Sequence, residues 1–142
     1  MKSYYEVGIR YDKTQENGLV KTVNERHLID AVSFTEAEAR ITEAMKPYLT
    51  GGFSVMTEKI SNIQEVILND KPEHDKFYRV KLKIISIDER TAKEKATPYF
   101  LLVQACNIDE AKAMIYKRDA MMQEELEAIA ETKIVSFIPY CK

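Results

Sequence analysis

Two parts of this sequence match each other at a nearly constant spacing. Residues 4–9 (Tyr-Tyr-Glu-Val-Gly-Ile) match residues 77–82 (Phe-Tyr-Arg-Val-Lys-Leu) at an offset of 77 − 4 = 73. Residues 33–39 (Ser-Phe-Thr-Glu-Ala-Glu-Ala) match residues 107–113 (Asn-Ile-Asp-Glu-Ala-Lys-Ala) at an offset of 107 − 33 = 74. A single inserted loop residue explains the difference between the offsets. The sequence therefore predicts a tandem duplication, with repeats at 1–68 and 75–142.

Each repeat has the pattern of two strands, a helix and a third strand. In the first repeat, apolar residues alternate from Tyr5 to Tyr11, which indicates a half-buried strand. Asn17-Gly18 favours a turn into a second extended segment over residues 19–32. Ser33 and Glu36 form a capping box for a helix that should end near Lys46, because Pro47 follows. The third strand is expected from Phe53 to Leu68, with a bulge where the alternation is imperfect.

The second repeat follows the same order after a polar linker at residues 69–74. Its strands are expected from Phe77 and over residues 99–106, and its helix from the Asn107 cap to about Met122. The third strand is expected from Leu126 to Pro139. Residues 124–128 are also compatible with an extension of the helix.

These elements predict an α+β fold, mainly antiparallel sheet with two helices, in which each third strand lies antiparallel beside the first. An isolated three-stranded piece is marginally stable, so the two repeats should pair in a single domain over residues 1–142. Residues 99–105 are apolar on both faces. This pattern indicates either a central strand or a contact in a homo-oligomer.

Composition excludes several classes of protein. The net charge of −2 argues against binding DNA by bulk charge, although a local basic stripe remains compatible with it. No apolar run approaches the roughly 18 residues that span a bilayer. Cys106 and Cys141 form no close-spaced pair, which is typical of a reducing compartment. The sequence predicts a soluble cytoplasmic protein with no membrane partner.

Catalytic and metal signatures are missing from the sequence. Two His and two Cys, remote from each other, do not make a structural zinc site, and four Gly make no phosphate-binding loop. His27 and Asp30 lie three residues apart on a strand and should point to opposite faces. Glu36, Glu38 and Glu43 have the spacing of a solvated helix face. We therefore predict a non-enzymatic protein with no catalytic residues, cofactor or metal.

A basic strand is the strongest binding candidate in the sequence. Arg79, Lys81 and Lys83 alternate along one face, Lys76 precedes them and Tyr78 lies among them. Basic and aromatic residues on a sheet are typical of single-stranded nucleic-acid binding. An edge strand protected by lysines would give the same pattern. The second hypothesis for function is a protein-interaction or structural module that uses an exposed sheet edge, and we expect a homo-oligomer.

Residues 4–7 and 28–41, the restart at Phe77-Tyr78 and the ending Ile138-Pro139-Tyr140 resemble an uncharacterised family of proteins. That family is known as a domain of unknown function of gut anaerobic bacteria and their bacteriophages or other mobile elements. The resemblance covers nearly the whole chain. It implies a cytoplasmic bacterial or phage protein, and it supplies no activity and no catalytic residues. Our own expectation is a binding or accessory role in phage or mobile-element nucleic-acid metabolism.

The repeats also predict where function should lie. Caps, turns and helix faces shared by both copies serve folding, so functional residues should be found where the copies differ. The second copy has Arg79, Lys81 and Lys83 where the first has Glu6, Gly8 and Arg10. It also has Leu-Leu-Val at 101–103 where the first has His-Leu-Ile at 27–29.

Overall fold

A computed structural model describes residues 3–49, 51–69, 71, 75–118 and 124–139. Its elements in chain order are β1 (Ser3–Thr14), β2 (Val20–Ala31), α1 (Phe34–Met45), β3 (Phe53–Ile60), β4 (Glu65–Ile67), β5 (Lys76–Ile87), β6 (Glu94–Ala105), α2 (Ile108–Arg118), β7 (Glu124–Glu131) and β8 (Ile134–Ile138). The fold is α+β, as predicted, with two helices and two mainly antiparallel sheets of four strands each. The chain divides into two compact units, which are residues 1–62 with 133–142 (unit 1) and residues 63–132 (unit 2).

A long antiparallel hairpin forms the middle of each sheet. β1 pairs with β2 in unit 1 and β5 pairs with β6 in unit 2, and all four strands have 12 residues. Gly18 in the first turn has a φ of +83°, a conformation that glycine adopts without steric cost. The turn predicted at Asn17-Gly18 is confirmed.

Both predicted helix caps are present. The Ser33 hydroxyl accepts a hydrogen bond from the Glu36 amide at 3.1 Å, and the Asn107 side chain accepts one from the Glu110 amide at 2.8 Å. α1 ends at Met45, and Lys46–Tyr48 continues as a single 3₁₀ turn, in agreement with the stop expected before Pro47. α2 is described to Arg118, and the rest of its predicted length, to Met122, lies outside the described residues.

The third strands pair as predicted. β3 lies antiparallel beside β1, and β7 lies antiparallel beside β5. Each carries one extra residue at an equivalent place, Met56 in β3 and Glu127 in β7, which confirms the bulge expected in the first repeat. Residues 124–128 form a strand, so the alternative of a helix extension is wrong.

The length predicted for the third strands is wrong. Phe53–Leu68 was expected to be one strand, but it forms β3 in unit 1 and β4 in unit 2, where β4 lies parallel to β6. Leu126–Pro139 likewise forms β7 in unit 2 and β8 in unit 1, where β8 lies parallel to β2. Each sheet is therefore completed by a strand from the other repeat. Apolar residues continue through both junctions, and such a pattern does not reveal a change of sheet.

Strand order also settles the role of the apolar segment at 99–105. The orders are β3-β1-β2-β8 and β4-β6-β5-β7, which place β6 inside its sheet. Leu101, Leu102 and Val103 have no exposed surface. The central-strand interpretation is confirmed, whereas homo-oligomer formation stays a prediction. Of the predicted linker at 69–74, residues 70 and 72–74 lie outside the described residues.

Each helix packs on one face of its own sheet, and most positions of the two cores correspond. Helix positions Ala37 and Ile41 of unit 1 match Ala111 and Ile115 of unit 2 at an offset of 74. The strand positions that also correspond are Tyr5, Val7, Ile9, Ile29 and Ala31, with Tyr78, Val80, Leu82, Val103 and Ala105. Leu101 belongs to the core of unit 2, but its counterpart in unit 1, at 101 − 74 = 27, is a histidine.

Candidate functional site

A cavity of about 440 Å³ lies in unit 1, beside the C-terminal half of α1. Its lining residues come from β1, β2, α1, the turn after α1, and β8. They are Tyr11, Lys13, Glu25, His27, Ile41, Ala44, Met45, Tyr48, Val135, Ser136 and Ile138. One side is apolar, and the polar side chains converge on the other. The size and this mixture are typical of small-molecule sites.

A chain of hydrogen bonds forms the polar side of the cavity. The Ser136 hydroxyl on β8 contacts Nδ1 of His27, which is its register partner on β2. Nε2 of His27 lies 3.3 Å from one carboxylate oxygen of Glu25. The Tyr11 hydroxyl donates to the other oxygen of Glu25 at 3.0 Å. Residues 109 positions apart in the sequence are thereby joined across the parallel pair of strands.

The partners of His27 determine its tautomer. The Glu25 carboxylate only accepts hydrogen bonds, so Nε2 carries the imidazole proton and donates it. Nδ1 is then the acceptor, and the Ser136 hydroxyl donates to it. His27 is 5% exposed, and among the described residues it is the polar side chain that is buried. Burial lowers the pKa of His27 below 6.5, and the contact with Glu25 opposes this effect only in part.

Tyr11 is also held in its neutral form. Burial, followed by its hydrogen bond to Glu25, raises the pKa of the Tyr11 phenol to about 12. The phenol therefore keeps its proton at neutral pH and donates it to the carboxylate. The Tyr11 hydroxyl, Nε2–H of His27 and the Ser136 hydroxyl each donate to another member of this hydrogen-bonded series. None of these three donors is therefore left to point into the cavity.

Burial of neutral His27 predicts a loss of stability in acid. Because the folded pKa lies below the unfolded value, the unfolded chain binds the proton more readily. The stability from neutral His27 is present above about pH 6.5 and is lost as the pH falls through the folded pKa. We expect the free energy of unfolding, measured by urea titration, to fall as the pH is lowered below about 6.5, and to fall less steeply in His27→Gln.

The control for this experiment is Thr35→Gln, which introduces the same side chain at an exposed position of α1 that carries no titratable group. It should keep the wild-type pH dependence. An unchanged slope in His27→Gln would contradict the assignment of the pH effect to the cavity.

The second copy shows that the fold does not require these polar residues. Glu25 and His27 correspond to Tyr99 and Leu101 at an offset of 74, and Leu101 lies in the core of unit 2. A hydrophobic residue thus satisfies the same strand position. The polar pair in unit 1 is found where the copies differ, as predicted for functional residues.

One residue of the predicted basic binding surface, Tyr78, does not lie on the surface. Tyr78 is 4% exposed and belongs to the core beneath α2, so its ring is unavailable for stacking on a base. Tyr78 lies two residues before the buried Val80 and on the opposite face of β5 from Arg79, as the period of a strand requires. Lys76, at the start of β5, is exposed.

The other basic residues are half-buried and have neighbours that reduce their availability. The Arg79 guanidinium lies 4.6 Å from the centre of the Phe100 ring. Lys81 forms an ion pair with Glu127 at 3.6 Å, and Lys83 lies opposite Glu125 in the ladder between β5 and β7. The acidic strand β7 therefore offsets much of the positive charge of β5.

A protein-family model matches residues 3–140, nearly the entire chain. The chain belongs to the DUF4494 family. That family is described as a domain of unknown function, so membership supplies no activity. Comparison with curated proteins gave no match. The resemblance to a domain of unknown function is confirmed, whereas an origin in gut bacteria or their phages stays a prediction.

For this DUF4494 chain, the sequence placed His27 and Asp30 on opposite faces, and the register confirms it. The orienting carboxylate is instead Glu25, two residues before His27 and therefore on the same face. That spacing was visible in the sequence as a Glu-x-His pattern on a strand. Nothing in the sequence indicated Ser136, because its contact with His27 depends on how β8 pairs.

The helix carboxylates of this DUF4494 member have the surface roles expected of them. Glu36 pairs with Arg40 at 3.7 Å, Glu43 pairs with Lys46 at 2.9 Å, and Glu38 is exposed. In the described part of the chain, no group of three His, Cys, Asp or Glu is arranged to hold a metal ion. No described helix has the length and apolar character needed to cross a membrane.

Proposed function

We propose that this protein is a non-enzymatic binding protein whose ligand is a small molecule held in the unit 1 cavity. The observation that carries the proposal is the chain of hydrogen bonds through His27, at the strand position where unit 2 has Leu101. Burying a polar group costs stability unless it is hydrogen-bonded, and the hydrogen bonds of His27 compensate a burial that the fold itself does not need. A residue of this kind is expected where it has another use. Binding a ligand is such a use.

Binding fits the arrangement better than acyl transfer. Ser136, His27 and Glu25 follow the order of nucleophile, base and orienting carboxylate. Catalysis also needs donors directed at the oxyanion that develops in the reaction. Among the described lining side chains, Tyr11, His27 and Ser136 donate to one another or to Glu25. The side-chain donors that remain belong to Lys13 and Tyr48, which are exposed at the rim.

The test is a fragment screen on the full chain, followed by ¹H–¹⁵N NMR. The probes are aromatic and aliphatic fragments, in neutral, acidic and basic forms. We expect binders to move the resonances of Glu25, His27 and Ser136. Ala44→Phe places a ring in the cavity and should abolish these shifts, because Ala44 lines it. Ala39→Phe adds the same ring on the exposed surface of α1 and should leave them unchanged.

Two results would contradict the proposal. Fragments that bind equally well to Ala44→Phe would place binding outside the cavity. Covalent labelling of Ser136 by a fluorophosphonate, lost in His27→Gln, would identify an activated nucleophile and hence an enzyme.

Single-stranded nucleic acid is the second candidate, and the alternation of Arg79, Lys81 and Lys83 along one face of β5 favours it, because basic residues in such a row can contact successive phosphates. Titration of the protein with a labelled single-stranded oligonucleotide, at low and at moderate salt, separates the two candidates. Salt-sensitive binding that is lost in Lys81→Glu with Lys83→Glu would support nucleic acid. The cavity proposal predicts no effect of these substitutions on fragment binding. A protein partner at an exposed sheet edge would instead appear as a stable complex in size-exclusion chromatography.

A further inference from the structure

The polar side of the cavity has used its hydrogen-bond donors internally. Tyr11 and His27 donate to Glu25, and Ser136 donates to His27. A carboxylate oxygen and a hydroxyl oxygen each have more than one lone pair. The capacity that remains on this side is therefore acceptor capacity, on the two oxygens of Glu25 and on the Ser136 hydroxyl. A complementary ligand has to bring donors.

The charge of Glu25 supports the same conclusion. The Glu25 side chain is 18% exposed, and the basic side chain that lies nearest to it, at 3.3 Å, is His27. Burial keeps His27 neutral at neutral pH, because it lowers the pKa of the imidazole. Within the described ranges, no lysine or arginine lies at ion-pair distance from Glu25. Carboxylates removed from water are usually paired with a cation. Among the described residues Glu25 has no such cation, and it faces a cavity.

The second copy excludes a structural requirement for that charge. Tyr99 occupies the position equivalent to Glu25, and its hydroxyl donates to Glu65 on the exchanged strand β4. The fold therefore tolerates a neutral residue at this point of the hairpin. Glu25 is then a feature of this cavity and not of the α+β unit.

We propose that the cavity binds a small organic cation, a primary amine attached to an apolar body, with its ammonium group on Glu25 and Ser136. This inference rests on the proposed function and names its class of ligand. The three N–H groups of an ammonium match the acceptors on that side. Ile41, Met45 and Ile138 give the apolar body a surface to pack against.

Lys13 is the charge that opposes this assignment. Its ammonium is exposed at the rim and is outside ion-pair distance of Glu25, so solvent screens its repulsion. A ligand held mainly by Lys13 would carry an acid. The choice between an amine and an acid therefore decides which charge governs the site.

Three probes of one shape test the inference on the full-length protein. They are phenethylamine, 2-phenylethanol and 3-phenylpropanoate, which present an ammonium, a hydroxyl and a carboxylate on the same ring. Dissociation constants come from NMR titration of the cavity resonances. Both the amine and the alcohol can donate a hydrogen bond to Glu25, but only the ammonium adds an attraction between opposite charges, so we expect the amine to bind at least about tenfold more tightly than the alcohol. The acid should bind least.

Glu25→Gln should remove the preference for the amine, so that amine and alcohol bind alike. The matched control is Glu43→Gln, which makes the same change at an exposed carboxylate of α1 outside the cavity. It should keep the preference. Comparison of the three probes on the wild-type protein needs no variant, so a folding defect in Glu25→Gln would not remove the test.

The inference is wrong if the alcohol or the acid binds in the cavity as tightly as the amine. The proposed function would survive that result, because the cavity would still be occupied. If none of the three probes moves the cavity resonances, the amine assignment is also wrong, and the fragment screen decides on the proposed function separately.

Discussion

Ile41→Ala and Ile115→Ala are each expected to lower the free energy of unfolding by about 2–5 kcal/mol, and by similar amounts. Both side chains lie on the buried face of a helix, and their exposed fractions are 0% and 2%. They occupy equivalent positions, since 115 − 41 = 74. Removal of three carbons leaves a cavity that the surrounding strands fill only in part. Urea unfolding monitored by circular dichroism measures the loss.

Ile87→Ala is the matched control, because Ile87 is 71% exposed and loses little buried surface on truncation. It should change the free energy of unfolding by roughly 0.5 kcal/mol or less. If either core variant behaved like this control, the correspondence of the two cores would be wrong.

Deletion of residues 133–142 is expected to destabilise unit 1 strongly, although the deleted segment belongs to the second repeat. β8 supplies the buried Ile134 and the half-buried Phe137 and Ile138 to unit 1. Loss of that apolar burial should cost roughly 3–6 kcal/mol. Fragment binding should also disappear, because Val135, Ser136 and Ile138 line the cavity. Urea unfolding and the fragment titration measure the two effects.

A chain that ends after Pro139 is the control and should keep both properties. A synthetic peptide of residues 133–142, added to the truncated chain, should restore the unit 1 resonances. A truncated chain with wild-type stability would show that β8 does not hold sheet β3-β1-β2-β8 together.

Local signals predicted most of this fold. Ser33 and Asn107 marked the helix starts, and Gly18 marked the first hairpin turn, because caps and turns depend on residues close in sequence. The exchange of β4 and β8 was not predictable in this way. The choice between two sheets depends on contacts far apart in the sequence, and the apolar pattern of the strands is the same in either sheet.

The candidate site was predictable in part. The difference between the copies pointed to His27. Glu25 could have been found from the sequence as well, because residues two apart on a strand lie on the same face. Ser136 could not, because it reaches His27 only through the exchanged strand. Tyr78 was included in the basic surface although the period of a strand places it on the buried face, with Val80 and Leu82.

The strand exchange has a consequence for synthesis on the ribosome. Unit 2 is a continuous stretch, residues 63–132, whereas unit 1 needs residues 133–142 as well as the first 62. During translation, the downstream unit has all of its strands before the upstream unit does. The hairpin of β1 and β2 must wait until β8 has left the exit tunnel. The half of the protein that is synthesised first is therefore the half that is finished last, and the cavity with it.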